Sequence, residues 1–164
     1  MSLRKQSFPP IVRTDTRLLI LGSLPGESSL AAGRYYAHPR NLFWKLMEQV
    51  LETQLVALDY TDRLAALQAR GVGLWDSVQS ARRKGSLDAD MRDIEATDLP
   101  ALTATLPALT AVAFNGRASE KTGQPQLAGS NLALVALPSS SPAHAAMNFA
   151  DKLRHWTKLR EFLR

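Results

Sequence analysis

The chain has 164 residues, 45% hydrophobic and 21% charged, a balance that suits a single globular domain spanning residues 1–164. Its 20 Lys+Arg against 15 Asp+Glu leave a formal net charge of +5, which favours a polyanionic partner. The absence of cysteine excludes disulfides, thiolate metal sites, iron–sulfur clusters and a Cys nucleophile, and fits a reducing cytoplasm. The segment from Met1 to Phe8 lacks the apolar core of a secretory signal, and no apolar run is long enough to span a membrane. His38, His144 and His155 are too scattered to suggest zinc.

In chain order, Arg17 to Gly22 is the first apolar run and reads as a strand. Helical spacing follows over Leu42 to Leu55, with Phe43, Leu46, Met47, Val50 and Leu51 on one face. A second helix is expected over Thr61 to Arg70, stopped by Gly71. Val72 to Trp75 reads as a short strand. Leu99 to Leu106 reads as a helix capped by Asp98 and ended by Pro107. Ala111 to Phe114 is a third strand, followed by a short helix over Gly116 to Thr122 closed by Gly123. Leu132 to Leu137 is a fourth strand. The last helix is expected to open at Ser141-Pro142 and to carry Phe149, Leu153, Trp156, Leu159 and Phe162 on one stripe.

Strands alternating with helices imply a three-layer α/β/α sandwich around a four-stranded parallel sheet. Nearly continuous apolar strands mean coverage on both faces. Ligands of such sheets bind beyond the carboxyl ends of the strands. The loops of interest are therefore 22–41, 76–93, 115–117 and 138–144.

Gly22-Ser-Leu-Pro-Gly26 can bring backbone close to a ligand, or can be an ordinary strand-to-helix turn. The run from Tyr35 to Trp44 holds four aromatics, His38, Arg40 and Asn41. Its aromatic faces can stack a base, and Arg40 can hold a phosphate. Tyr35 and Tyr36 are expected to line a cleft, because their hydroxyls need partners. Asn41 is either a helix N-cap or a functional amide, Phe43 reads first as a core residue, and Trp44 can join it there. Asp76 ends the second strand, where it can meet a base edge or cap a turn. Ser80 to Ser86 can hold phosphate or be a solvated basic loop. Ser139, Ser140 and Ser141 at an expected helix N-terminus suit a phosphate, with His144 beside them, or are a capping cluster.

Five segments together resemble the uracil-DNA glycosylase superfamily, and within it the hypoxanthine-DNA (deoxyinosine) glycosylase branch. They are Gly22-Ser-Leu-Pro-Gly26, Tyr35-Tyr-Ala-His-Pro-Arg-Asn41, Gly71-Val-Gly-Leu-Trp-Asp76, Phe114-Asn-Gly116 and Leu137-Pro-Ser-Ser-Ser-Pro142. The resemblance implies hydrolysis of the N-glycosidic bond of a deaminated base, hypoxanthine or uracil, in damaged DNA. A cytoplasmic monomer without metal or organic cofactor is expected. Leu24 stands where most branches carry an Asp or Asn that positions water, and Leu137 stands where a His often stabilises the leaving base. Asn41 is implied as the catalytic residue, acting on the water or on the base. Gly22, Ser23, Leu24, Pro25, Gly26, Tyr36, Phe43, Asp76 and Asn115 are implied around the base. Arg40, Ser139, Ser140, Ser141 and His144 are implied at the DNA backbone. Two other classes fit the same crevice: a small nucleotide-binding α/β hydrolase, and a DNA-binding module without catalysis.

Overall fold

The structure, a computed structural model, describes residues 4–164. Its main sheet is parallel, in the order β3-β2-β6-β7, with β2 at Leu18–Gly22, β3 at Val72–Asp76, β6 at Ala111–Asn115 and β7 at Ala133–Leu137. Successive side chains of a strand point to opposite faces, and this alternation sorts the core into two layers. Leu18, Ile20, Val72, Leu74, Ala111 and Ala113 pack with Phe43, Leu46, Met47, Val50 and Trp156. Those partners come from α2 (Phe43–Leu51) and α6 (Phe149–Trp156). Leu19, Leu21, Val112 and Phe114 pack on the other side with Leu99 and Leu127, which belong to α4 (Leu99–Thr103) and α5 (Arg117–Leu127). Every side chain from Leu18 to Leu21 is fully buried, as an apolar run in a central parallel strand requires. The expected three-layer sandwich is therefore the observed architecture.

Chain order departs from sheet order between β2 and β6. From β2 the chain crosses through α1 (Glu27–Ala32), α2 and α3 (Tyr60–Ala69) to β3 on one side. From β6 it crosses through α5 to β7 on the other. The loops at the carboxyl ends of β2 and β6 thus diverge and leave a crevice between them.

Three expectations are corrected. The segment 76–93 is not a loop. Val78–Arg82 forms β4, which pairs antiparallel with β1 (Arg4–Gln6) and with β5 (Arg92–Ala96) in a second, three-stranded sheet. All five residues of β5 are exposed, so its sequence lacks the apolar signature of a strand. The last helix opens at Phe149, capped by Asn148, whose side chain accepts from the Asp151 N–H. Residues 138–148 are an irregular loop with one turn at Pro142 and Ala143 instead of its first turns.

The helix after β6 runs through Gly123 to Leu127. Gly123 is not its stop signal. A Cβ there would lie 2.6 Å from the Ser77 hydroxyl oxygen and 2.8 Å from the Phe114 ring, so glycine lets α5 sit down on the sheet. In an exposed helix interior, Gly→Ala gains about 1 kcal/mol. Here Gly123→Ala is expected to lower stability by roughly 1–3 kcal/mol through overpacking. Urea unfolding of the variant measures this, and a neutral or stabilising result would show that α5 can move off the sheet.

Candidate active site

A cleft of about 1040 Å³ opens at the carboxyl ends of β2, β3, β6 and β7. It brings together Gly22 to Gly26, Tyr36, Asn41, Asp76, Asn115, Ser139 to Ser141 and His144 from five separate stretches of chain. Two residues anticipated beside them stand apart. Arg40 is exposed and outside the cleft lining, and Phe43 is fully buried beneath it.

Gly22 ends β2, and the absence of a side chain there shapes the floor. A Cβ would meet the Asp76 Oδ1 at 2.7 Å and the Tyr36 hydroxyl at 3.2 Å, so both groups converge over this glycine. Asp76 is 3% exposed and its Oδ2 accepts from the Ser7 hydroxyl at 2.7 Å. Burial pushes its pKa up to about 7, with the Asp88 charge adding to the rise and Ser7 and Arg83 opposing it. Tyr36 stacks on Phe43 with ring centroids 3.9 Å apart. Its backbone takes φ +55°, a left-handed conformation that costs a non-glycine residue energy, and so is held by its surroundings. Its hydroxyl is buried with no hydrogen bond of normal geometry among the described residues, and burial keeps it protonated. Tyr35 is spent differently: its hydroxyl donates to the Pro9 carbonyl at 3.1 Å and anchors the N-terminal segment.

Asn41 is not the N-cap of α2, a position that Leu42 holds, but stands one residue before it and lines the cleft. Its Oδ1 accepts from the Phe43 N–H at 2.9 Å, just before α2. The amide's other end, an NH2 donor pair, has no hydrogen bond among the described residues and belongs to a residue that lines the cleft.

Asn115 is committed to the loop after β7. Its Nδ2 donates to the Ser140 hydroxyl and its Oδ1 accepts from the Ser140 N–H, both at 2.9 Å. The Ser140 carbonyl in turn accepts from Leu42 N–H, and the Pro138 carbonyl from the Trp156 indole. Ser140 is 1% exposed, so it builds the loop and does not face DNA. Asn115 likewise positions this loop, with one of its two amide N–H groups given to Ser140, and it also lines the cleft. The helix dipole expected to hold phosphate here is missing, since no helix follows directly. Ser139, Ser141 and His144 remain at the cleft as half-buried polar groups, and the buried Nδ1 of His144 has no partner among the described residues.

The second sheet supplies groups that sequence reading missed. Arg83, within the expected phosphate loop, is 1% exposed. Its guanidinium donates to the carbonyls of Leu24, Pro25 and Gly85, and burial pulls its pKa down. Asp88 sits on a 3-10 turn at Asp88–Asp90 and accepts from the Ser23 hydroxyl at 2.7 Å. Leu24 packs with Val78, Ala81 and Met91 as an apolar wall. The run Arg82-Arg83-Lys84 carries no local signal that its middle member is buried. Ser7 lies 69 residues from Asp76 and had none either. Among the described residues, no group of His, Asp and Glu could hold a metal, and no helix is long and apolar enough to cross a membrane.

The family model described as "Uracil DNA glycosylase superfamily" matches residues 9–164. A hypoxanthine DNA glycosylase of Methanosarcina barkeri (strain Fusaro / DSM 804) is 39% identical over 117 residues, 71% of this chain and 74% of that protein. Another of the same description, from Methanosarcina acetivorans, is 37% identical over 142 residues, 85% of this chain and 88% of that protein. The solution NMR structure of a candidate uracil DNA glycosylase from Methanosarcina acetivorans superposes with a TM-score of 0.88 at 31% identity, covering 99% of this chain and 100% of that one. A family match over nearly the whole chain and the same fold, with the cleft at the same strand ends that the sequence motifs mark, place this chain in the uracil DNA glycosylase superfamily.

Proposed function

We propose that this DNA glycosylase takes hypoxanthine as its main substrate, releasing it from deoxyinosine in DNA and leaving an abasic site. The observation that carries this reading is the buried Asp76 carboxyl on the cleft floor, fixed at one oxygen by Ser7 and turned over Gly22 with the other. Above its pKa of about 7 the Asp76 carboxyl is ionised and accepts hydrogen bonds only. Hypoxanthine offers it an N1–H. Adenine presents an N1 lone pair, which leaves the carboxylate unmatched at a penalty of about 1–3 kcal/mol, more for a charge.

The nucleotide must first leave the helix, which costs roughly a few kcal/mol and least at a mispair. The extruded base then stacks on Tyr36, whose ring is backed by Phe43. Cleavage of the glycosidic bond leaves negative charge on the base, and fixed donors aimed at it lower the barrier. The free NH2 end of Asn41 is such a donor. Ser139, Ser141 and His144 face the flanking phosphates, and backbone from Gly22 to Gly26 approaches the sugar and base. The reading calls on no metal or organic cofactor, and treats the active species as a monomer.

Purified protein is expected to release hypoxanthine from a deoxyinosine duplex, read as alkali-sensitive breaks at the lesion. No release of hypoxanthine or any other deaminated base would end the proposal. Asn41→Asp keeps the acceptor for Phe43 N–H but removes the NH2 donor. It should slow cleavage roughly 10²–10³-fold, the usual loss of an oxyanion-type donor, with thermal stability unchanged. Cleavage at the wild-type rate would reduce Asn41 to its bond with Phe43 N–H.

Asp76→Asn should lower hypoxanthine release and shift the ratio of single-turnover rates towards uracil, since an amide can both donate and accept. An unchanged ratio would remove Asp76 from base reading. Because folding raises the Asp76 pKa from 3.8 to about 7, the native state binds the extra proton between those values. Wild-type stability relative to Asp76→Asn should therefore fall as pH rises from about 4 to about 7 and level off above. Urea unfolding across that range checks the sign.

A further inference from the structure

The cleft holds a base-facing donor in Asn41 and a base-facing acceptor in Asp76, but neither suits the water that must attack the sugar. The Asn41 oxygen is taken by Phe43 N–H, and an amide does not accept a proton. Asp76 is 3% exposed and tied to Ser7. Leu24, in the turn after β2, is apolar and packed into the wall with Met91. Three further carboxylates line the same space: Glu27, which is paired with Lys5; Glu120, on α5; and Asp88. Asp88 lines the cleft, is exposed to it, and is held at one oxygen by the hydroxyl of Ser23, the residue next to Leu24. It enters from the second sheet, on the turn between β4 and β5. The buried Arg83, which grips the Leu24 and Pro25 carbonyls, fixes the arm that carries it.

We propose that Asp88 is the catalytic carboxylate that orients and deprotonates the attacking water, using the oxygen that Ser23 does not hold. This rests on the glycosylase reading of the cleft. In the step, the water oxygen forms a bond to C1′ as the C1′–N9 bond breaks. The bonding pair leaves with the base, where Asn41 donates to it. The water proton passes to Asp88 and from there to solvent, and the departing base is protonated in turn, so the sum is water added across one bond. Ser23 is a positioning residue here, because it sets the carboxyl's orientation without touching the water. Arg83 and Asp76 are the other charged groups that act on this corner of the cleft.

Two substitutions separate charge from contact. Asp88→Asn keeps an oxygen for the Ser23 hydroxyl but has no charge. Asp88→Glu keeps the charge but alters the fit to Ser23. Single-turnover release of hypoxanthine from a deoxyinosine duplex should fall roughly 10²–10⁴-fold in Asp88→Asn, the range of a lost general base, while duplex affinity and melting temperature stay near wild type. Asp88→Glu should be about tenfold faster than Asp88→Asn or better. Asp88→Asn within about threefold of the wild-type rate would overturn the proposal. So would Asp88→Glu being the slower of the two, since that order assigns Asp88 to the structure of the arm. A wild-type protein that releases no deaminated base would instead defeat the glycosylase reading itself.

Discussion

A guanidinium taken out of water must be met by acceptors, and the burial of Arg83 imposes that demand where the two sheets meet. Its donors go to three carbonyls, two of them in the turn after β2 and one at Gly85. The turn that approaches the substrate is thereby tied to the arm that carries Ser86 and Asp88. Ser86 then accepts from the Glu27 N–H at the start of α1, and Lys5 of β1 pairs with Glu27 and donates to the Gly85 carbonyl. Were Arg83 neutral and apolar, the turn would still meet the second sheet through Ser23 and Leu24, but the carbonyls of Leu24 and Pro25 would lose the cation that joins them to Gly85. The geometry of one side of the cleft follows from satisfying this one charge.

The opposite side is built by neutral hydrogen bonds. Asn115 and Ser140 exchange two bonds, and Ser140 and Pro138 pass the restraint to α2 and α6. Such paired amide and backbone contacts are rigid, so they suit a loop that must present other side chains in place. The two sides therefore divide the labour. One is preorganised by polar pairs around the exit of β6. The other is preorganised by a buried cation that also holds two carboxylates, Asp76 and Asp88, in one electrostatic neighbourhood.

Those carboxylates differ in surroundings, and this difference separates their roles. Asp76 is desolvated and therefore titrates near neutrality, where its hydrogen-bonding character decides which base edge it matches. Asp88 is less enclosed: partial burial raises its pKa as well, against the pull of Ser23 and Arg83, but the residue is exposed at the cleft and can meet water. A floor that needs a glycine, a stacked tyrosine held at positive φ and a desolvated acid is not an arrangement that maximises stability. Strain and desolvation concentrated at one place mark where function outweighs stability.

The sequence by itself determined the parallel sheet, because runs such as Leu18 to Leu21 are apolar at every position and only a strand covered on both faces accepts that. It also determined where the chemistry gathers, since the Gly22 turn, the Tyr35 to Asn41 run, Asp76, Asn115 and the serine loop all follow from strands ending on one side. Tertiary structure alone decided the second sheet, whose edge strand β5 is exposed throughout and so carries no apolar period to read. It decided that Gly123 is a packing contact and not a helix stop, that Phe43 backs Tyr36 from the core, and that the final helix waits until Asn148 for its cap. It decided as well that Arg83 is buried, that Ser7 meets Asp76 and that Asp88 meets Ser23. Local patterns report what a residue's near neighbours want. These contacts join positions 58 or more residues apart, and only the folded chain brings them within reach.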